Sequence, residues 1–249
     1  MILNFILTRN LVVMDYWLII LTLITIIIVF LIYSVYIRNR QIDQKYYQAS
    51  DISIYLRNIK YSLPEIRREV QQICKTQNWM AWPELDLYED QTKEWRILPF
   101  KGFGLVSEEN CNACPVLWRF IQSIPGVKVA LLSKLGPGMK LTAHQGWGKH
   151  ANHVIRCHYG FIVPNGCYLS VSDRADLSDE QIRSHRKDEW LCFDDSKYHY
   201  AHNPTDEDRV VLILDIERPT HIKPGRSNIQ TTDELNSLLK EFQSTTILE

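Results

Sequence analysis

Two histidines that lie far apart in the chain are candidates for a metal site. His144 and His199 each stand at the edge of a β-rich run, so they can meet across the mouth of a barrel. Neutral imidazole is a common ligand of iron, zinc and copper. Arg209 follows ten residues after His199, and its guanidinium can bind a carboxylate through two parallel hydrogen bonds. A metal together with a carboxylate-binding arginine is typical of an Fe(II) oxygenase that uses a 2-oxo acid as co-substrate.

Several motifs around these residues occur in a fixed order. They are His144-x-Gly146, Ile155-Arg-Cys-His158-x-Gly160, Pro164-Asn-Gly-Cys167, Phe193-Asp-Asp-Ser196, His199, and Arg209 through Asp215-x-x-x-Pro219. Their order and spacing make Val127 to Pro219, and more loosely the chain from Trp95, similar to the aspartyl/asparaginyl β-hydroxylase family of 2-oxoglutarate- and Fe(II)-dependent dioxygenases. The stretch from His199 to Pro219 also resembles bacterial lipid A acyl-chain hydroxylases, which are membrane-anchored members of the same superfamily.

The resemblance implies an Fe(II) ion held by His144 and His199, with 2-oxoglutarate, water and O2 at its remaining positions. The common iron-oxygenase triad adds a carboxylate, and the matching position in this chain is Gly146. The lipid hydroxylases carry aspartate there and the animal peptide hydroxylases carry glycine, so this chain resembles the two-histidine version. Asp194 and Asp195 are alternative carboxylates, but their match to the Phe-Asp-Asp-Ser motif favours a structural turn.

The same resemblance implies the residues that bind the co-substrate. Ser133 and Arg209 would hold the distal carboxylate of 2-oxoglutarate, and Arg156 and His158 would contact the end that chelates iron. Arg156 and His158 are two positions apart, so on one strand they face the same side. Arg209 leads directly into an apolar run, which predicts a partly buried guanidinium that needs an anion; a surface ion pair with Asp206 or Glu207 is the alternative. No catalytic residue beyond the metal and co-substrate ligands is predicted.

Five short β-rich runs separated by turn residues follow Gly126. They are Val127–Ser133, Val154–Tyr159, Cys167–Val171, Trp190–Phe193 and Val210–Ile216. Short β-rich runs separated by turn residues predict a mainly β domain of the sandwich or jelly-roll type. The family resemblance implies its double-stranded β-helix form, which is cupin-like, with flanking helices.

An apolar stretch without charged residues, Tyr16 to Ile37, precedes this domain. It is long enough to cross a hydrocarbon core of about 30 Å, and it predicts a single-pass transmembrane anchor. A cleaved signal peptide is the competing interpretation, but no small-x-small cleavage site follows the stretch. Basic residues are more frequent after the span, which favours a cytosolic catalytic domain; a lumenal domain stays open.

The predicted organisation therefore has five parts. They are a short tail (1–15), the transmembrane anchor (16–37), a connector with a flanking helix (38–94), the dioxygenase-like domain (95–225) and a C-terminal helix (226–249). The connector helix is predicted over Leu63–Cys74, where proline occupies a first turn, and the C-terminal helix over Asp233–Phe242. The net charge of −1 gives no indication of nucleic-acid binding.

Two further groups of residues have more than one interpretation. Cys111 and Cys114 form a lone CxxC, which we interpret as structural, with redox use, half of a zinc site or a disulfide as alternatives. Trp79, Trp82 and Trp95 are expected to pack against the barrel, and an aromatic-lined substrate groove is the alternative.

The sequence thus predicts a membrane-anchored dioxygenase that hydroxylates an unactivated C–H bond of a protein, peptide or lipid. The β-carbon of peptidyl Asp or Asn is the first candidate because of Gly146, and a lipid acyl chain is the alternative. A catalytically silent barrel that acts as a binding module is the hypothesis from another class, since the missing carboxylate could mean a lost metal. Retention of both histidines, Arg156 and Arg209 argues against it.

Overall fold

The computed structural model describes residues 2–244 and 247–248, with side chains for residues 16–36, 41–237 and 240. The chain divides into two units, Met1–Asp43 with Thr220–Lys223 and Gln44–Pro219 with Pro224–Glu249. The first unit contains the long N-terminal helix, and the second contains the β domain with its flanking helices.

Helix α1 runs from Ile2 to Arg40. Within it, Tyr16–Tyr36 is a stretch of 21 residues with a mean hydropathy of 3.0 and with its side chains exposed. By length and composition this helix can cross a membrane, as predicted from the sequence. The hydroxyls of Thr22 and Thr25 donate to carbonyls one turn earlier, so the helix satisfies these polar groups internally. Because the helix begins at Ile2, the predicted tail over 1–15 is helical from that residue onward.

The second unit is built from twelve strands within the part of the chain that is described. They are β1 (Tyr46–Tyr47), β2 (Met80–Ala81), β3 (Trp95–Gly102), β4 (Leu105–Val106), β5 (Val127–Leu135), β6 (Val154–Ile162), β7 (Tyr168–Ser172), β8 (Gln181–Ser184), β9 (Trp190–Phe193), β10 (Tyr198–His202), β11 (Arg209–Glu217) and β12 (Ile247–Leu248). One sheet has the order β1-β9-β6-β11-β5-β3-β4-β12, with β2 on β3, and a smaller sheet has the order β10-β7-β8. The paired strands are antiparallel, so the predicted mainly β, jelly-roll architecture with flanking helices is confirmed.

Strand β11 is the centre of the larger sheet, because β5 and β6 pair with it on either side. All of its residues from Arg209 to Ile216 are buried. On β11, Arg209, Ile213 and Asp215 alternate with outward-facing residues, and Asp215 pairs in register with Arg156 of β6. The interior face of this strand pair therefore carries charged side chains, namely Arg156, Arg209 and Asp215.

Short helices flank the large sheet. They are α2 (Ala49–Ile52), α3 (Leu63–Thr76), α4 (Glu108–Ala113), α5 (Pro115–Gln122), α6 (Gly148–Ala151) and α7 (Asp233–Ser244), with 3-10 helices at Ile54–Tyr61 and Leu85–Leu87. Helix α3 buries Ile66, Val70 and Ile73, which recur at helical spacing. The carboxylate of Glu69 accepts hydrogen bonds of 2.9 Å from the first backbone N–H groups of α5, so it caps that helix.

The two cysteines of the CxxC motif lie under the β3 side of the sheet. Cys111 and Cys114 are buried free thiols, and the Cys111 thiol lies 3.7 Å from the carbonyl oxygen of Phe100. Burial raises the pKa of both thiols to about 12, so they stay protonated and unreactive. This environment favours the structural interpretation of the motif.

The turn between β9 and β10 is held by Asp194. Its Oδ1 accepts hydrogen bonds from the backbone N–H (3.0 Å) and the hydroxyl (2.6 Å) of Ser196. The same carboxylate pairs with the Arg218 guanidinium at 2.7 and 2.8 Å. Asp194 therefore has the turn role that the sequence predicts for it, and it fixes the segment that leads into His199.

Replacing Asp194 should destabilise the β domain strongly, because Asp194→Ala leaves the buried Arg218 charge without its carboxylate. We expect Asp194→Ala to lower the free energy of unfolding by about 3–5 kcal/mol, measured by denaturant titration of the detergent-solubilised full chain. Asp206→Ala, at an exposed loop position, is the control and should change it by less than about 0.5 kcal/mol. Equal stabilities of the two variants would contradict this role.

Candidate active site

His144 and His199 meet at the mouth of the barrel. The segment before α6 runs beside β10, and the two residues exchange backbone hydrogen bonds of 3.0 and 2.8 Å. Because directly paired residues project to the same side, the imidazoles stand side by side with ring centroids 4.4 Å apart. The structure thus brings together the two histidines that the sequence predicts as a pair.

Both imidazoles are oriented by backbone carbonyls two residues earlier. His144 Nδ1 lies 2.8 Å from the Thr142 oxygen, and His199 Nδ1 lies 2.9 Å from the Lys197 oxygen. A carbonyl only accepts, so each Nδ1 carries the proton and each Nε2 keeps its lone pair. Burial lowers the pKa of His144 to about 3 and that of His199 to about 4, so both are neutral near pH 7. A pair of oriented, neutral imidazoles fits a divalent transition metal.

Asp195 lies beside this pair. Its Oδ1 is 3.4 Å from His199 Nε2 and 2.6 Å from Arg156 Nη1. A Cβ at Gly146 would stand 2.0 Å from Asp195 Oδ2, so glycine is required there for the carboxylate to fit. In addition to its predicted place in the turn, Asp195 thus has a carboxylate that pairs with Arg156 and lies beside His199. In the part of the chain that the structure describes, no group of three or more His, Cys, Asp or Glu side chains is placed to bind one metal ion.

Arg156 joins Asp195 to a second buried carboxylate, Asp215. Arg156 donates through Nε and Nη2 to the two oxygens of Asp215 at 2.7 and 2.8 Å, and His150 Nε2 lies 2.7 Å from the same carboxylate. Burial alone would raise the pKa of Asp215, but the Arg156 charge and its hydrogen bonds outweigh burial and hold that pKa below its usual range. Arg156 is therefore fixed by two aspartates at the edge of the mouth.

Arg209 lies deeper in the barrel with no carboxylate partner among the described residues. The Arg209 side chain is buried, at 2% exposure. Its Nη2 donates only a long hydrogen bond of 3.4 Å to the Ser133 hydroxyl. The same hydroxyl accepts a hydrogen bond of 3.1 Å from Trp95 Nε1. Its Nε and Nη1 have no hydrogen-bond partner within the described chain. Burial lowers the pKa of Arg209 to about 10, so the guanidinium stays charged at neutral pH. The alternative of a surface ion pair is excluded, and the site demands an anion.

His158 lies between the histidine pair and Arg209. Its ring packs edge-on against Phe193 (centroids 5.2 Å apart), which in turn contacts His199 (5.0 Å). His158 Nδ1 lies 3.0 Å from Nε2 of His185, a buried residue that the sequence analysis does not single out because it belongs to a charged segment. Asp215 belongs to a motif of the sequence but is given no role there, although a carboxylate inside an apolar strand is a recognisable signal of a buried polar site.

A cavity of about 610 Å³ opens in front of the histidines. Trp82 stacks between Trp95 and Trp147, with ring centroids 4.7 and 5.9 Å away, and these rings form one wall. A second, apolar pocket of about 60 Å³ shares Trp82 and Trp147 with this cavity. It is lined chiefly by Met80, Ile97, Pro99, Phe103, Val129 and Leu235. Trp82 and Trp95 thus line a groove, which is the alternative that the sequence leaves open.

Comparison with known proteins identifies relatives of the β domain. Residues 60–219 match the aspartyl/asparaginyl beta-hydroxylase family. The ornithine lipid ester-linked acyl 2-hydroxylase of Rhizobium tropici is 34% identical over 171 residues, which are 65% of this chain and 56% of that protein. The aspartate beta-hydroxylase domain-containing protein 2 of Mus musculus is 30% identical over 181 residues, which are 69% of this chain and 49% of that protein.

The chain spans about half the length of these curated relatives. Among solved structures, an oxidoreductase of the 2OG-Fe(II) oxygenase family from Burkholderia pseudomallei matches with a TM-score of 0.46 and 9% identity, over 64% of this chain and 81% of that chain.

The paired imidazoles predict a measurable metal affinity. Either His144→Ala or His199→Ala removes one of two neutral ligands, so we expect each to weaken Co(II) binding by roughly 100-fold, followed by the visible absorption of the bound ion. His202→Ala is the matched control, because His202 bonds the Tyr168 hydroxyl at 3.2 Å and should leave the affinity unchanged. Unaltered Co(II) binding in both ligand variants would refute the assignment.

Proposed function

Because the chain belongs to the aspartyl/asparaginyl β-hydroxylase family, we propose that it is a 2-oxoglutarate- and Fe(II)-dependent dioxygenase that hydroxylates an unactivated C–H bond. The observation that carries the proposal is Arg209, a buried charge without a carboxylate partner in the described chain, in the same barrel as two neutral histidines. A metal-binding pair and an anion-demanding guanidinium match the two parts of a metal-chelating dicarboxylate.

The residues then have separate tasks. His144 and His199 would hold the iron through Nε2, since their Nδ1 atoms face carbonyls. Ser133 and Arg209 would bind the distal carboxylate of 2-oxoglutarate, and Arg156 and His158 its chelating end. When bound, Fe(II) supplies the oxidation of 2-oxoglutarate to succinate and CO2 by O2, coupled to hydroxylation of the substrate.

The protein's own contribution is to orient these groups and to exclude water. The Nη1 atom of Arg156 lies close to Asp195, so a carboxylate arriving there would share this donor with Asp195. Ser133 accepts from Trp95 Nε1, which directs the serine hydroxyl proton toward a carboxylate beside Arg209. The tryptophan wall closes one side of the mouth, and in a site of low dielectric constant each charge-assisted bond is stronger than it is in water.

For the substrate we propose a lipid acyl chain, which is the alternative to the peptidyl Asp or Asn that the sequence gives as first candidate. The mouth cavity shares Trp82 and Trp147 with a small apolar pocket, and the N-terminal helix is apolar enough to hold the enzyme at a membrane. The charged side chains that line the mouth are mostly acidic, namely Glu84, Asp86, Asp195 and Glu234 against Arg156. This lining disfavours a further carboxylate such as that of peptidyl aspartate. A relative that acts on an ornithine lipid is 34% identical.

Peptidyl Asp or Asn, hydroxylated at its β-carbon, is the second candidate. It is supported by the glycine at position 146, which matches the animal peptide hydroxylases, and by the relative that carries an aspartate beta-hydroxylase domain. The close approach of Asp195 gives this glycine a structural reason as well, which weakens its value as a marker of the substrate. We further propose a single-pass protein with a cytosolic catalytic domain, from the basic residues that follow the span.

The dioxygenase proposal is tested by succinate formation from 2-oxoglutarate. The full chain in detergent is supplied with Fe(II), O2 and mixed lipid and peptide substrates. Arg209→Ala should raise the KM for 2-oxoglutarate by roughly 100-fold, since a buried charge pair is lost. The control Arg226→Ala, at an exposed position, should match the wild type. Absence of succinate from the wild type with every substrate would overturn the proposal.

The substrate class is tested by mass spectrometry of the products. We expect one oxygen to be added to the fatty acyl chains of vesicles that contain an ornithine lipid, and none to Asp- or Asn-containing peptides. Trp147→Ala should lower the rate of acyl hydroxylation about tenfold because it removes an apolar wall of the cavity. Tyr61→Ala, an exposed aromatic residue, serves as the control. Oxygen on the peptide β-carbon without a lipid product would establish the second candidate.

A further inference from the structure

We propose that His185 is a positioning residue of the co-substrate site, which sets the orientation and the proton position of His158 beside Arg209. The inference rests on the proposed function, because it takes 2-oxoglutarate as the anion that Arg209 binds. His185 would not touch the reacting atoms; it would act through His158.

The segment that carries His185 is held against the interior edge of β6. The backbone N–H of Asp188 donates to the Gly160 oxygen at 2.8 Å, and the N–H of Gly160 donates to the Glu189 oxygen at 3.3 Å. A Cβ at Gly160 would lie 2.2 Å from the Arg186 oxygen. Only glycine allows this approach, so Gly160 gives the segment its place.

This place puts His185 next to the co-substrate residues. Arg156, His158 and Gly160 alternate along β6 and therefore share its interior face. The segment occupies the space that a side chain at Gly160 would fill. The backbone N–H of His185 donates to the Cys167 oxygen at 2.9 Å, which anchors the residue on its other side. His185 is 6% exposed, and its Nε2 lies 3.0 Å from His158 Nδ1.

In the cluster formed by His158, His185 and Arg209, several buried nitrogen atoms have no hydrogen-bond partner within the described chain. Within the described chain, His158 Nε2, His185 Nδ1, Arg209 Nε and Arg209 Nη1 are buried without a hydrogen bond. Buried polar atoms of this kind are rare in native proteins unless a ligand satisfies them. Several of them in one place indicate an occupant with several oxygen atoms.

The contact between the two imidazoles decides which nitrogen of His158 carries the proton. Burial and the nearby Arg209 charge lower the pKa of His185, and burial with His185 and Arg209 lowers the pKa of His158. Two neutral rings share one hydrogen bond, so one ring donates and the other accepts. If His185 donates through Nε2, His158 accepts at Nδ1 and presents an Nε2–H to the co-substrate. The opposite arrangement would direct a lone pair of His158 at a carboxylate, which is repulsive.

The test is direct binding of 2-oxoglutarate to the full chain loaded with Mn(II), by calorimetry in detergent without O2. His185→Phe keeps an aromatic ring and removes the donor, so we expect the Kd for 2-oxoglutarate to rise roughly tenfold. His185→Gln places an amide N–H near the position of Nε2 and should restore the wild-type Kd to within about threefold. His185→Asn has a side chain too short to reach His158 and should bind as weakly as His185→Phe. Mn(II) affinity should be the same in all three variants, because His144 and His199 are unchanged.

Each outcome bears on the proposal. A wild type that binds no 2-oxoglutarate overturns the proposed function and this inference together. A wild type and a His185→Phe variant of equal affinity overturn only the role of His185. If His185→Gln binds as weakly as His185→Phe, His185 acts by packing and the donor role is overturned. Should His185→Phe fail to fold, equal affinities of the Gln and Asn variants would overturn it instead.

Discussion

The interior face of strands β6 and β11 carries two arginines, of which Arg156 is paired with carboxylates and Arg209, within the described chain, is not. Arg156 is neutralised by Asp215 and Asp195 at the mouth, whereas Arg209, in the described chain, has only a long hydrogen bond from Nη2 to Ser133. An unpaired charge in a protein interior is costly, so a ligand that brings the missing anion gains the full benefit of its burial. The location of the proposed co-substrate follows from this asymmetry.

Two glycines allow this arrangement because they leave space for groups from other segments of the chain. Gly146 leaves room for the carboxylate of Asp195, and Gly160 leaves room for the backbone that carries His185. Neither glycine has a left-handed backbone, so the requirement is space and not conformation. In both cases the missing side chain admits a group from a distant part of the chain, and that group then faces the histidines of the site. A larger residue at either position would displace the Asp195 carboxylate or the segment that carries His185.

The regular elements could be predicted from the sequence because their signals are local. The apolar N-terminal helix, the helix at Leu63 and the runs that become β5, β6, β7, β9 and β11 depend on periodicity and turn residues within a few positions. The pairing of His144 with His199 was predicted from the family resemblance, and its carbonyl-oriented geometry is what the backbone adds. The pairing of Asp195 with Arg156 and the burial of His185 beside His158 depend on long-range contacts, so the sequence does not predict them. Asp194 pairs with Arg218 and the adjacent Asp195 pairs with Arg156, and no local sequence pattern distinguishes the two carboxylates.

The charges around the proposed metal site bear on how two neutral histidines could hold a divalent ion. Arg156 pairs with Asp195 and Asp215, Arg209 has no carboxylate partner in the described chain, and burial keeps the imidazoles uncharged. A divalent cation or a dicarboxylate alone would add two charges to a medium of low dielectric constant, while the two together add none. Binding of the proposed iron and 2-oxoglutarate should thus favour each other, as linkage requires whenever one ligand relieves the cost of the other. Within the described chain, the carboxylate beside the histidine pair is that of Asp195, and it already pairs with the guanidinium of Arg156. The charge of the proposed metal would therefore be balanced by the dicarboxylate ligand and not by a carboxylate of the protein.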